Sequence, residues 1–240
     1  MFRTVRAALL GGATLLLSNC LDVSGSNITT LAFDFSDTSQ GLGEGWIVGV
    51  ADVPADRVNE VDLAGEYTTL PAPLSAFNGI RQSGTSISSN LFVFHKKFIQ
   101  GPATWPPGTA FHVALDMVLV SDQQSGCTTG PGPAVVVKAG VSGDEPLATA
   151  DAQGILRLNL DKGTGTSAGA FTQLGDIRNS LTGCPTPGGW QARGTVRGTQ
   201  TEVLTINELG GFWIFFGTQS AFNGRHDVYF TQVRLSLTRE

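Results

Sequence analysis

Charge is scarce in this 240-residue chain: 15% of residues are Asp, Glu, Lys or Arg, and 20 acidic residues face 15 basic ones. Binding a polyanion draws on clusters of lysine and arginine. The longest basic run is the pair Lys96-Lys97, so nucleic acid is a poor partner. Histidine is scarcer still, and His95, His112 and His226 share no HExxH-like spacing, which argues against zinc. No apolar run is long enough to span a bilayer: the best, residues 7–17, covers about 11 residues where a helix needs about 20. Segments with the 3.6-residue period that crossover helices of a parallel sheet would need are also few. Cysteine is limited to Cys20, Cys127 and Cys184, an odd number, so at least one stays outside any intramolecular disulfide.

The amino terminus is laid out in three zones. Arg3 and Arg6 supply positive charge, the apolar run follows, and Ser18 and Asn19 close it with small or polar side chains. That is the layout of a secretory signal over residues 1–19. Leu17-Ser18-Asn19-Cys20 resembles the lipobox of bacterial lipoproteins, with Asn19 replacing the usual glycine, alanine or serine. The resemblance implies that Cys20 is acylated, becomes the first residue and anchors the chain to a membrane. Leu21, where inner-membrane retention usually needs aspartate, points to the outer membrane of the cell envelope. Ordinary cleavage near residues 24–26, with Cys20 discarded, is the competing reading. Loss of Arg3 and Arg6 with the leader takes the net charge from -5 to -7. Residues 20–30 are small and polar, as a flexible tether should be.

Gly 31 and Pro 11 are spread through the rest as punctuation, which suits many short strands joined by turns. In residues 110–121, Phe111, Val113, Leu115, Met117 and Leu119 alternate with residues that include His112 and Asp116, so one face is core. Leu156, Leu158 and Leu160 alternate in the same way, as do Tyr229, Val233, Leu235 and Leu237 within their strand. Further strands are expected at 31–35, 46–50, 79–83, 91–99, 134–141, 202–207 and 212–217. Residues 174–180 are open to a short helix. Lys96 interrupts the apolar face of Phe92, Phe94 and Phe98, which places strand 91–99 at a sheet edge, where lysine discourages further pairing. The expected fold is all-β: one antiparallel two-sheet sandwich of jelly-roll type over residues 31–240. Ser-Ala-Phe-Asn-Gly occurs at 75–79 and again at 220–224. Flanking sequences do not align, so this reads as recurrent turn chemistry, with the phenylalanine plugging the sandwich end; a shared ligand loop is the alternative.

Cys127 and Cys184 both lie in turn-like surroundings and are the natural disulfide pair of an exported protein. Metal thiolates would want a CxxC spacing or a nearby histidine, and neither is present.

Residues 211–237 resemble the closing strands of jelly-roll modules of the galactose-binding-like group, which includes carbohydrate-binding modules. "PPGTAFHVALDMVLVS" and "FDFSDTSQGLGEGW" are similar to a central and an opening strand of the same modules. Residues 31–237 as a whole look like uncharacterised bacterial envelope lipoproteins of that build. Thr231 stands where such modules often carry an aspartate, in some of them a structural calcium ligand, so the resemblance does not carry that site over.

Candidate chemistry is thin. Asp34, Asp37 and Glu44 offer hard oxygens of the kind calcium takes, but their spacing matches no calcium loop, and solvated carboxylates are the competing reading. Lys162 precedes the glycines of "LDKGTGTSAG", whereas a P-loop needs its lysine after them. Two carboxylates across a cleft would leave no trace in sequence, so Asp116 stays open as a glycosidase carboxylate. The positive hypothesis is sugar binding: pyranose rings present apolar C–H faces to aromatic side chains while their hydroxyls take hydrogen bonds. Trp105 and Trp190 lie in loops and are the expected ligand-binding residues, the alternative being that each caps a sandwich end. Trp46 and Trp213 lie in apolar strands and read as core. Three classes follow in order: a lipid-anchored glycan-binding module without catalytic residues, an envelope assembly protein that binds another protein, and a jelly-roll hydrolase or lyase.

Overall fold

The computed structural model describes residues 27–37, 43–163, 169–184 and 189–240. Cys20 and its lipobox lie outside the described residues. The strands are β1 Ile28–Asp34, β2 Ile47–Ala51, β3 Tyr67–Thr69, β4 Asn78–Ser86, β5 Leu91–Gln100, β6 Ala110–Ser121, β7 Val135–Ser142, β8 Ala148–Ala150, β9 Leu156–Leu158, β10 Phe171–Asp176, β11 Gln191–Thr199, β12 Leu204–Thr205, β13 Gly211–Ser220 and β14 Gly224–Arg239. One sheet runs β11-β6-β14-β4-β3, with β1 also on β14 and β12 also on β6; the other runs β10-β7-β13-β5-β2. Consecutive long strands cross from one sheet to the other: β4 to β5, β5 to β6 and β6 to β7, then β10 to β11, β11 to β13 and β13 to β14. That is the jelly-roll arrangement, all-β and antiparallel.

Alternation explains how the layers find each other. Phe111, Val113, Leu115, Met117 and Leu119 of β6 are all buried, as expected, and meet Val135, Val137, Ala139 and Val141 of β7 in one core. β14 obeys the same rule with one interruption. Its register slips between Phe230 and Gln232, a bulge at Thr231. The extra residue lets Val228 and Phe230 face the core before it and Val233, Leu235 and Leu237 after it. Tyr229 is thereby turned to the outer face, not aligned with Val233 as uninterrupted alternation implies.

Three other expectations change. Ile28, Thr29 and Thr30, assigned to the tether, pair with Thr238, Leu237 and Ser236, because ladder hydrogen bonds ask nothing of the side chain. Residues 174–180 form no helix, since Leu174 continues β10. β5 is not an edge strand: it is flanked by β13 and β2. Lys96 is accommodated there because its ammonium donates to Glu145 Oε1 at 2.6 Å and to the Pro146 carbonyl at 2.7 Å.

Those two partners belong to a covering layer. The β8–β9 hairpin lies over the outer face of the second sheet, where Leu158 and Leu160 pack on Phe92, Phe94, Phe171 and Phe215. Glycines make room for the rings. A Cβ on Gly49 would stand 2.5 Å from the Phe94 ring, and one on Gly140 would stand 1.8 Å from the Ala170 carbonyl oxygen and 2.7 Å from the Phe215 ring.

A chain of polar side chains crosses the main core. Thr218 donates to Gln82 Oε1 at 2.8 Å and lies 2.9 Å from His226 Nε2, while Gln82 Nε2 lies 3.0 Å from His95 Nδ1. The amide and hydroxyl donors fix both tautomers: His226 carries its proton on Nε2 and gives it to Thr218, and His95 accepts on Nδ1 and carries its proton on Nε2. All four side chains are buried.

Cys127 and Cys184 form a disulfide across a sequence separation of 57 residues, joining the loop after β6 to the loop before β11. Reduction removes a constraint on the unfolded chain worth roughly 3 to 4 kcal/mol. The urea midpoint is expected to fall accordingly in reductant, and an unchanged midpoint would show that the loops are held by packing alone.

Candidate functional site

The outer face of the first sheet carries an apolar groove of about 290 Å³. Its floor crosses three strands: Ala192 of β11, Val118 and Val120 of β6, and Thr231 and Gln232 of β14. Ala192 pairs with Val120, and Gln232 pairs with Val118. One wall is the β3–β4 connection, contributing Leu70, Leu74 and Phe77. That connection folds back on itself through Leu74 N–H to Pro71 O, Phe77 N–H to Leu74 O and Leu70 N–H to Phe77 O, all between 2.9 and 3.0 Å. Phe77 is left 51% exposed. The far end is polar, with Asp34 and Ser36 of the first strand and its turn.

An aromatic pair adjoins the groove. Trp190 meets Tyr229 edge to face with centroids 5.3 Å apart, and both pack with Leu70, Leu74, Val120 and Ala192. Tyr229 comes to this face only through the Thr231 bulge. Burial, with the nearby Asp227 carboxylate adding to it, pushes the Tyr229 phenol above its ordinary range, so the ring stays neutral.

Hydrogen-bonding capacity is concentrated at the polar end. Asp34 Oδ1 is taken by the Ser36 amide at 3.0 Å and hydroxyl at 2.6 Å, and Oδ2 has no hydrogen-bond partner among the described residues. The Gln232 amide has no side-chain partner among the described residues. Aliphatic and aromatic groups on floor and wall with a carboxylate and an amide at one end can hold a molecule that has an apolar face and a hydroxyl-bearing edge.

Of the two tryptophans expected to bind ligand, Trp190 stands at this groove and Trp105 does not. Trp105 is only 8% exposed and packs on Phe111, centroids 4.7 Å apart, within the main core. Its loop is drawn in because Trp105 N–H bonds the Pro102 carbonyl at 2.8 Å; it closes an end of the sandwich. Trp46 and Trp213 are core-packing, as expected, the first on Phe33, Phe35 and Phe216, the second under the covering hairpin. The two Ser-Ala-Phe-Asn-Gly segments differ: Phe222 packs against the core, whereas Phe77 faces the groove.

The calcium candidates do not converge. Asp34 is engaged with Ser36, and the Glu44 carbonyl accepts from Lys97. No group of three His, Cys, Asp or Glu side chains able to hold a metal ion occurs among the described residues. Asp116 lies on the outer face of β6 and pairs with Arg197 at 3.4 Å. Gly165-Thr166-Ser167-Ala168-Gly169 has the spacing of a nucleophile elbow. That motif acts at a strand-to-helix turn, whereas the next element here is strand β10, and residues 164–168 lie outside the described residues.

Sequence reasoning missed Leu70, Leu74, Val118, Val120 and Gln232, and reached Phe77 only through the alternative reading of its pentamer as a ligand loop. A signal existed for two of them: Val118 and Val120 are apolar on the face of β6 that should be polar, which marks a covered or ligand-bearing patch.

No protein-family model matches the chain, and no curated protein matches it. Among solved structures it is similar to the K1 cleaved adhesin domain of Lys-gingipain from Porphyromonas gingivalis W83, at 13% identity over 86% of this chain and 97% of that one, with a TM-score of 0.35. The K3 cleaved adhesin domain of the same protein gives 15% identity over 86% and 96%, with a TM-score of 0.33. A structure described as carbohydrate-binding modules from the beta-sandwich super family gives 13% identity over 82% and 59%, with a TM-score of 0.36. At these scores the likenesses bear on neither ligand nor activity.

Proposed function

We propose that this protein is an exported, lipid-anchored envelope protein of the bacterial outer membrane whose sandwich binds a glycan without transforming it. The groove on the outer face of the first sheet carries the reading. Its apolar floor and the exposed Phe77 ring offer surfaces for the C–H face of a pyranose, and Asp34 Oδ2 and the Gln232 amide stand at one end to meet hydroxyls. The disulfide fits an oxidising compartment, and anchoring through Cys20 rests on the lipobox-like sequence alone.

A glycan array probed with the full mature chain tests the reading. Phe77→Ala and Gln232→Ala are each expected to weaken saturable binding at least about tenfold while moving stability by about 0.5 kcal/mol or less, since both side chains are surface groups. No saturable binding on a broad array would overturn it. Anchoring is read separately: mass spectrometry of the native protein should find an acylated residue 20, and Cys20→Ala should release the chain in soluble form.

The competing reading, docking of another envelope protein, requires a contiguous exposed apolar patch. The other exposed apolar side chains, among them Ile28, Leu63, Leu147 and Leu209, are distributed over separate elements.

A further inference from the structure

A second cavity, about 520 Å³, lies where the covering hairpin meets the ends of β2 and β13. Asp52, the residue after β2, adopts φ 61°, a left-handed conformation that is strained for a residue with a side chain. Its amide donates to the Leu156 carbonyl at 2.6 Å, which holds it there. The Asp52 carboxylate, 3% exposed, accepts from Arg157 Nη1 at 2.9 Å and from Lys162 Nζ. Arg157 is gripped a second time through Nε, which donates to Asp151 Oδ2 at 3.1 Å. The backbone of Lys162 and Gly163 is fixed by Lys138, whose ammonium bonds both carbonyls at 2.8 and 3.0 Å. On the opposite side Gln219 Nε2 donates to Asn90 Oδ1 at 3.0 Å.

Folding does not require this arrangement. Desolvating the Asp52 carboxylate and the Lys162 ammonium, 3% and 17% exposed, is costly, and an apolar filling of similar volume is often as stable. The sheet face beside it already has such a filling in Leu158 and Leu160 on Phe92. A strained backbone and a braced ion cluster at the mouth of a cavity are features of ligand sites.

We propose that this cavity is a second ligand site, independent of the groove on the first sheet, and that it takes an uncharged, hydroxyl-rich saccharide unit. After the contacts above, Arg157 Nη2 and Asn90 Nδ2 remain as donors, and Gln219 Oε1 and Asp161 Oδ2 remain as acceptors, without partners among the described residues. Hydroxyl is the functional group that both donates and accepts, and so matches a mixed set of this kind. The lining charges cancel, Asp52 and Asp161 against Arg157 and Lys162, so a ligand charge of either sign gains nothing overall. Phe92 beneath is fully buried. Recognition therefore runs through the polar edge of a sugar and not through stacking, the reverse of the emphasis in the groove. The two sites face away from different sheets, so one molecule can engage two glycan segments.

The test follows amide chemical shifts of the full mature chain during titration with the methyl pyranosides of glucose, galactose and mannose, and with galacturonate and glucosamine as charged counterparts. At least one neutral pyranoside is expected to shift Asn90, Arg157, Lys162 and Gln219 with a Kd of order 1 mM or tighter, and to do so better than either charged sugar. Asn90→Ala and Gln219→Ala, which leave the Asp52 cluster intact, are expected to weaken that titration by about tenfold or more, and Phe77→Ala to leave it unchanged. Shifts confined to the groove would overturn the second site and leave the first reading standing. Preferential binding of galacturonate or glucosamine, wild-type affinity in both cavity variants, or no titration by any of the sugars would overturn the proposal outright.

Discussion

Acidification from about pH 7 to about pH 4.5 is expected to cost this protein on the order of 5 kcal/mol of folding free energy, through His95 and His226. Burial holds both imidazoles down at about 4, against an ordinary value near 6.5, and Arg225 lowers His226 further. The folded state therefore wants them neutral. Above the ordinary value neither form of the chain binds these protons, and stability is at its plateau. As pH falls below it the unfolded chain takes up two protons that the folded chain refuses, and each costs about 1.4 kcal/mol per pH unit until the folded pKa is reached. The geometry supplies the cause. His95 Nδ1 is already accepting from Gln82, so a proton there would set two donors against each other. Among the described residues His226 Nδ1 has no acceptor to receive a new N–H. Urea unfolding across this range checks the slope. The double variant His95→Gln, His226→Gln should lose most of it, leaving only the carboxylates; equal slopes for wild type and variant would refute the assignment.

Phe216→Ala is expected to destabilise the protein by about 5 kcal/mol, the upper end of the range for deleting a core phenylalanine. Phe216 is fully buried in β13, and its ring meets those of Phe35, Trp46, His95 and Phe230 at centroid distances of 6.2, 4.9, 5.7 and 4.8 Å. Those neighbours come from both sheets and the connection between β1 and β2, so no single element can move in to fill the void. Thermal and urea unfolding of the variant measure the loss. A cost below about 2 kcal/mol would mean that the surroundings collapse onto the site.

Much of the fold is legible in the sequence where alternation is clean. β6 exposes its core face residue by residue, and β1, β4, β7 and β13 each overlap a segment read as a strand, while running past at least one of its ends. β11 is invisible by the same criterion. In "QARGTVRGT" only Val196 enters the core, and the strand is held by its ladder with β6. The 202–207 segment reads as a strand but pairs only at Leu204 and Thr205. Lys96 argues for an edge until the hairpin that covers it is in place.

The candidate site is less legible still, for a related reason. Trp105 and Trp190 have the same local description, tryptophan in a proline- and glycine-rich loop. One is drawn into the core by its loop and the other laid against Tyr229, and neither outcome is written in the flanking residues. Tyr229 and Gln232 lie three positions apart, yet they reach the same face because a bulge stands between them. The cavity at Asp52 joins residues 52, 90, 157, 162 and 219, which no spacing rule connects.

By itself, then, the sequence determined that the chain is all-β, which face of its best strands is buried, and which cysteines pair; these depend on side-chain period and composition, which are local properties. The tertiary structure alone decided which apolar residues stay on the surface, which strand is central, and which polar groups meet in a cavity. Those outcomes follow from pairings across tens to hundreds of residues and from a one-residue bulge, and the free energy that selects them resides in contacts between elements.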